Sequence, residues 1–203
     1  MVSYQQHGIH VRDDLVTAHR EVWAALGSPG SGFTGTERVA IMAEARNALR
    51  CKLCQVRKDS LSPYTVEGAH DHLGALPEAV VEVVHRVRTD PGRLTPAWFA
   101  GVTGDQLSVA QYMEVVGVLV QTVAIDTFSH AMGFPLLELP EPQPGEPSGY
   151  VPEGLTEGEA WVPLLSLDTV QESEADLFPS TLPPAYIRRA LTMVPMDSRG
   201  FWK

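Results

Sequence analysis

Residues 36–57 have the sequence TERVAIMAEARNALRCKLCQVR, and they contain the strongest helical pattern in the chain. Apolar residues recur there at helical spacing, and neither glycine nor proline interrupts them. The pattern predicts one long helix from Glu37 to about Arg57, started by Thr34 or Thr36. Its alanine-rich side indicates close packing against neighbouring helices.

The segments outside this stretch are predicted to be helical as well, so we expect an all-α fold. Helices are expected up to about Leu26, over residues 78–88, up to about Met132, and over residues 185–201. We divide the chain into a helical core (1–134), a proline-rich extended arm (135–184) and a C-terminal helix (185–203). That last helix is expected to pack on the same domain or on a neighbouring subunit. Most of the chain's 16 prolines lie in the arm.

The formal net charge of −10 limits the partners that we expect. An acidic chain repels phosphate backbones and anionic lipids, so neither nucleic acid nor a membrane surface is an expected partner. The longest apolar run, residues 115–125, is shorter than the roughly 20 residues that span a bilayer. The N-terminal residues lack the basic start and apolar stretch of a secretory signal, so we expect a cytoplasmic protein.

The two cysteines, Cys51 and Cys54, have C-x-x-C spacing. A bridge between them closes almost no loop, so a structural disulfide is not expected. Both lie on one face of the predicted helix, within disulfide reach if the helix end relaxes. Nearby positive charges favour the reactive thiolate, and they belong to Arg50, Lys52, Arg57 and Lys58. We therefore expect thiol redox chemistry, with metal ligation or an inert buried pair as the alternatives.

Two glutamates are expected on the same side of the predicted helix as Cys51. Glu44 lies seven residues before Cys51, and Glu37 lies seven residues further back. A carboxylate on a buried helix is costly unless it forms hydrogen bonds or relays protons. The alternative is that either glutamate points to solvent or pairs with an arginine.

The histidines after the cysteines are candidates for two roles. His70 or His72 could accept a proton from a cysteine, or both could complete a four-ligand set for zinc or another soft divalent metal. Their C-x2-C-x15-H-x-H spacing differs from the zinc-finger pattern, and either could be a surface residue. His130, at the end of a predicted helix, is a further candidate for the proton relay. The alternative is that it only interacts favourably with the helix dipole at that C-terminus. His85, in an apolar helix, is expected to be a packing residue.

These motifs resemble the alkylhydroperoxidase D-like (AhpD-like) group of the carboxymuconolactone decarboxylase superfamily. The helix that ends in C-x-x-C carries most of the resemblance. Residues 112–117, YMEVVG, are similar to a second conserved helix of that group, and residues 187–195, IRRALTMVP, are similar to a segment of its peroxidase-related members. Together the similar stretches cover about a third of the chain.

The resemblance implies an AhpD-like helical bundle that assembles as a homo-oligomer and reduces hydroperoxides with its thiol pair. It implies that Cys54 is the peroxidatic cysteine, that Cys51 resolves the sulfenic acid, and that Glu37 helps to relay protons. Members of the group usually have a histidine four residues after the second cysteine, where this chain has Lys58. We expect His70 or His72 to take the role of that histidine.

The expected function is that of a thiol peroxidase without a resident cofactor, which takes a small-molecule hydroperoxide and an external thiol reductant. The alternatives are a zinc-binding protein and an AhpD-like relative that acts on a different small molecule. The catalytic candidates are Cys54, Cys51, Glu37 and His70, with Glu44, His72 and His130 as further relay candidates. The metal-ligand candidates are Cys51, Cys54, His70 and His72.

Overall fold

The computed structural model describes Tyr4 and residues 9–158, 160–179 and 184–203. Within these residues the fold is all-α, as predicted, and contains no β-strand beyond one isolated bridge between Thr156 and Leu164. The helices are α1 (Asp13–Leu26), α2 (Gly35–Asn47), α3 (Lys52–Asp59), α4 (Glu78–Thr89), α5 (Pro96–Val102), α6 (Val109–Ala131), α7 (Tyr186–Arg189) and α8 (Pro195–Phe201).

The long helix α6 lies at the centre of the bundle and contacts α1, α2, α4 and α8. Its side chains Val115, Val118 and Leu119 are buried in the main apolar core. By length and composition alone α6 could cross a membrane, but 61% of that stretch is buried inside the chain. Such burial is typical of a core helix, since a bundle must cover its most apolar element.

Reciprocal capping begins two of the helices, and the first of them starts at Thr34 as predicted. The Thr34 side chain accepts a hydrogen bond from the backbone N–H of Glu37, whose carboxylate accepts from the backbone N–H of Thr34. Ser108 and Gln111 form the same arrangement at the start of α6. Each capping box satisfies two N–H groups that have no partner within the helix.

The predicted continuous helix from Glu37 to Arg57 is interrupted just before the first cysteine. After α2 the chain makes a 3₁₀ turn, Ala48–Arg50, and Cys51 is extended with φ −65° and ψ 122°. The N–H of Lys52 has no intrahelical partner and donates to Asp71 Oδ2 at 2.8 Å. This partner comes from a loop far along the chain, so no local pattern could reveal the break.

The proline-rich arm lies against the loop between α1 and α2. The Gln143 N–H donates to the Gly27 carbonyl at 2.8 Å, the Ser148 N–H donates to the Gly30 carbonyl at 2.9 Å, and the Trp23 indole donates to a carbonyl of the arm. This loop precedes α2, whereas Cys51 follows it. Residues 138–149 of the arm are therefore docked on their own chain, at the end of α2 away from the cysteines.

A buried charge cluster attaches the C-terminal segment to the bundle. Arg38 on α2 forms ion pairs with Glu114 on α6 and with Asp197 on α8, the latter at 2.9 Å. All three side chains are at most 2% exposed. The C-terminal segment, which was predicted as one helix, is split into α7 and α8, and Pro195 begins the second. A proline fits the first turn of a helix and interrupts a longer one.

Candidate functional site

The break between α2 and α3 places the cysteines at the start of a helix. Cys51 is the N-cap of α3 and Cys54 lies one turn further, in its first turn. Both thiols are free and buried, with exposures of 0% and 4%. The positive end of the α3 dipole lies at these sulfurs, and such a position favours a thiolate.

His70 contacts both sulfur atoms through one ring nitrogen. Its Nδ1 lies 3.5 Å from Cys51 Sγ and 3.5 Å from Cys54 Sγ. Asp71, the residue after His70, holds this loop in place through its backbone. Its carbonyl accepts a hydrogen bond from Asn47 Nδ2 at 2.7 Å, and its N–H donates to Cys51 Sγ. The loop therefore holds one imidazole against both thiols.

His85 on α4 reaches the same point beside His70, with the two ring centroids 4.2 Å apart. Its Nδ1 lies 3.3 Å from Cys54 Sγ, and its Nε2 donates to Glu44 Oε1 at 2.9 Å. Glu44 is buried on α2 and also accepts from the Leu73 N–H and from Asn47. Burial opposes the charged form of Glu44, but these hydrogen bonds outweigh it and hold its pKa below the ordinary value.

A second carboxylate fixes His70 in the same way. The Nε2 of His70 lies 2.7 Å from Glu82 Oε2, and the other oxygen of Glu82 accepts from the Trp98 indole at 2.9 Å. Arg57 lies 3.2 Å from the same carboxylate. Burial opposes ionisation of Glu82, but the hydrogen bonds from His70 and Trp98 and the charge of Arg57 lower its pKa to about 2.

The contacts between His70 and the thiols stabilise opposite charges on the two groups. Burial opposes the imidazolium, but hydrogen bonds to Cys54, Glu82 and Cys51 raise the pKa of His70 to about 10. Burial likewise opposes the Cys51 thiolate. Hydrogen bonds from the backbone N–H of Cys54, from the His70 ring and from the backbone N–H of Asp71 outweigh it and lower the pKa of Cys51. The site therefore favours an imidazolium–thiolate pair.

Both histidines have the same orientation relative to the sulfurs. Each turns Nδ1 towards the thiols and Nε2 towards a carboxylate, which fixes the ring and sets which nitrogen is available. One ligand atom from each of Cys51, Cys54, His70 and His85 lies within 4.8 Å of the other three. The four side chains converge on one point and could exchange protons there or hold a metal ion.

The structure brings together some of the predicted site residues and separates others. Glu44 and His70 join the cysteine site, as the helical spacing and the short loop suggested. Glu37 lies at the other end of α2, bonded to the Thr34 cap, roughly 20 Å along the helix axis from Cys51. His72 is exposed and accepts from the Gly74 N–H.

His130 likewise lies outside this group, exposed at the C-terminal end of α6. Two residues of the site were not predicted from the sequence: His85, which was expected to be a packing residue, and Glu82. The two lie three residues apart on α4, where they interrupt a run of valines. Polar groups on an apolar helix face need buried partners, so that interruption was the available signal.

Access to the buried pair differs between the two sulfurs. Cys54 lines a pocket of about 220 Å³ between α3 and α4, formed with Ala48, Leu49, Gln55, Lys58, Arg88 and Thr89. Cys51 does not line it and is fully buried. Of the two cysteines, Cys54 is therefore the one next to a pocket.

Comparison with protein-family models, with curated proteins and with solved structures found no match for this chain.

Proposed function

We propose that this protein is a thiol oxidoreductase that reduces hydroperoxides through the Cys51–Cys54 pair. One observation carries the proposal: a single imidazole nitrogen of His70 lies 3.5 Å from both sulfurs, in a site where carboxylates fix both histidines. Nucleophilic thiol chemistry requires a stabilised thiolate and a fixed proton acceptor beside it. The similarity to the AhpD-like group points to the same chemistry.

The first step is attack of the Cys54 thiolate on the outer oxygen of a hydroperoxide. The S–O bond forms, the O–O bond breaks, and the alkoxide leaves as an alcohol after it takes a proton from a neighbouring imidazolium. Cys54 is then a sulfenic acid. The thiol proton of Cys54 first passes to His70 Nδ1, 3.5 Å from its sulfur, and Glu82 stabilises the resulting imidazolium. After this imidazolium has protonated the alkoxide, the neutral ring accepts the Cys51 thiol proton.

The second step forms the internal disulfide. The Cys51 thiolate attacks the Cys54 sulfur, and hydroxide leaves as water with a proton from His70. The peroxide has then gained two electrons and the thiol pair has lost two. An external dithiol returns both electrons and both protons, which restores the reduced pair. Cys54 is assigned as the attacking thiol because it lines the pocket and Cys51 does not.

The test is a thiol count and an intact mass, taken before and after one equivalent of hydrogen peroxide. We expect loss of both thiols and of about two mass units in the wild type. Cys51→Ser should stop at the sulfenic acid, which dimedone traps, and Cys54→Ser should not consume peroxide. Peroxide consumption in Cys54→Ser at the wild-type rate would refute the proposal.

A second candidate function, a Cys₂His₂ metal centre, is favoured by the distances between the ligand atoms. The three sulfur–nitrogen contacts are 3.3–3.5 Å, and tetrahedral zinc with ordinary bond lengths separates sulfur from nitrogen by about 3.5 Å. The ligands are Cys51, Cys54, His70 and His85, so His85 takes the place expected for His72. The carboxylates on both histidines match the usual support of zinc-bound imidazoles.

Metal analysis separates this candidate from the first. Protein purified without chelator should contain one zinc per chain if the centre is metallic, and His85→Ala and Cys54→Ser should both lose it. Thiols that resist both peroxide and alkylation until a chelator is added would favour the metal centre. Metal-free, folded protein with two reactive thiols would exclude it.

A further inference from the structure

The pocket over Cys54 has an unusual charge for this chain. Two of its lining side chains, Lys58 and Arg88, are cationic, and no acidic side chain lines it. Among the residues that the structure describes, neither cation takes part in a salt bridge. The chain as a whole has a net charge of −10, so this is a local positive field in an acidic protein.

Helix spacing places both cations near residues of the cysteine site. Lys58 follows Cys54 by four residues on α3, and helical side chains four apart lie on one face and lean towards the N-terminus. Arg88 follows His85 by three residues on α4, so it flanks the histidine that contacts Cys54. The two helices therefore present one cation each to the same opening.

We propose that this pocket selects a small anionic hydroperoxide, whose carboxylate lies between Lys58 and Arg88 while its peroxide group meets Cys54. This inference rests on the proposed function. A neutral pocket would disfavour an anion near a thiolate, and the two cations offset that repulsion. The modest volume of about 220 Å³ suits a small substrate. The peroxide group is reduced to an alcohol by the thiol pair, and the carboxylate of the substrate is unchanged.

The test uses two thiol reagents of similar shape and different charge. Reduced protein is alkylated with iodoacetate, an anion, or with iodoacetamide, which is neutral, and modified Cys54 is quantified by peptide mass mapping. The variant is Lys58→Gln/Arg88→Gln. The control is Arg20→Gln, which removes an exposed cation from α1 that does not line the pocket.

We expect the ratio of iodoacetate to iodoacetamide rates to fall about tenfold in the double variant at low ionic strength, and to fall less in 1 M salt. The control should keep the wild-type ratio. A ratio that is the same in the wild type and the double variant would overturn the inference.

The same proteins are then oxidised with peroxymonosulfate, an anion, and with hydrogen peroxide, which is neutral. Selective slowing of the anion in the double variant supports the inference, and equal slowing of both oxidants counts against it. Alkylation requires no peroxide chemistry. A protein that resists both oxidants but keeps its alkylation preference therefore contradicts the proposed function and leaves the anion selectivity of the pocket established.

Discussion

The substitution Glu44→Gln tests how the buried relay is held together. Glu44 is 1% exposed and accepts three hydrogen bonds, from the Leu73 N–H at 2.9 Å, from Asn47 at 2.8 Å and from His85 at 2.9 Å. A glutamine has one acceptor oxygen, so its amide N–H₂ must face at least one of these donors. The less costly orientation leaves the backbone N–H of Leu73 without an acceptor.

One buried unpaired donor costs about 1–3 kcal/mol, and loss of the negative charge weakens the two remaining bonds. We expect the free energy of unfolding to fall by about 3 kcal/mol, or the Tm by roughly 6–12 °C for a chain of this size. Urea denaturation of the reduced protein measures the loss. Oxidation of Cys54 by hydrogen peroxide should slow at least tenfold, because His85 loses its anionic partner.

The control for this substitution is Glu78→Gln, which removes an exposed carboxylate from the first turn of α4. Its effect on unfolding should stay within about 0.5 kcal/mol. If Glu44→Gln lowers the stability by no more than this control does, the assigned hydrogen bonds are wrong. If it destabilises the protein but leaves the oxidation rate unchanged, Glu44 supports the fold and not the chemistry.

Three further predictions follow from burial and packing elsewhere. An added Cβ at Gly117 would lie 2.6 Å from the Cβ of Asp197, so Gly117→Ala should destabilise the fold by about 1–3 kcal/mol in urea; Gly101→Ala on α5 meets no atom within 4 Å and should be neutral or stabilising by up to about 1 kcal/mol. Arg38→Met leaves two buried carboxylates unpaired and should cost about 3–5 kcal/mol; a loss below 1 kcal/mol would contradict the ion cluster. The pKa of Glu82 is about 2 against an ordinary 4.5, so its stabilisation is complete above pH 4.5 and is lost as the pH falls towards 2; in Glu82→Gln the acid limb of the pH–stability curve should flatten.

The features of the fold that depend on nearby residues could be predicted from the sequence. The capping boxes at Thr34 and Ser108 use partners three residues away, and the apolar spacing of α4 and α6 recurs within single helices. The break before Cys51 could not be predicted in this way. It depends on Asp71, which lies 19 residues beyond the N–H that it accepts.

The candidate site was predicted in part for the same reason. Cys51, Cys54 and Glu44 lie within one segment, and helical spacing was enough to group them. Glu37 lies at the same seven-residue spacing from Glu44, but its carboxylate accepts a hydrogen bond from the N–H of Thr34. His85 is 31 residues from Cys54, and only the packing of α4 on α2 brings it there. Where a polar residue interrupts an apolar helix face, its partner must be sought in three dimensions.

The buried cluster that joins α2, α6 and α8 has a consequence for how the chain is made. Arg38 and Asp197 are separated by 159 residues, so translation exposes the cation long before its second carboxylate exists. At roughly 5–20 residues per second, α8 follows α6 out of the ribosome after several seconds. Until α8 is made, Arg38 lacks one of the two carboxylates that it pairs with in the folded chain. Closure of this part of the core therefore waits for α8.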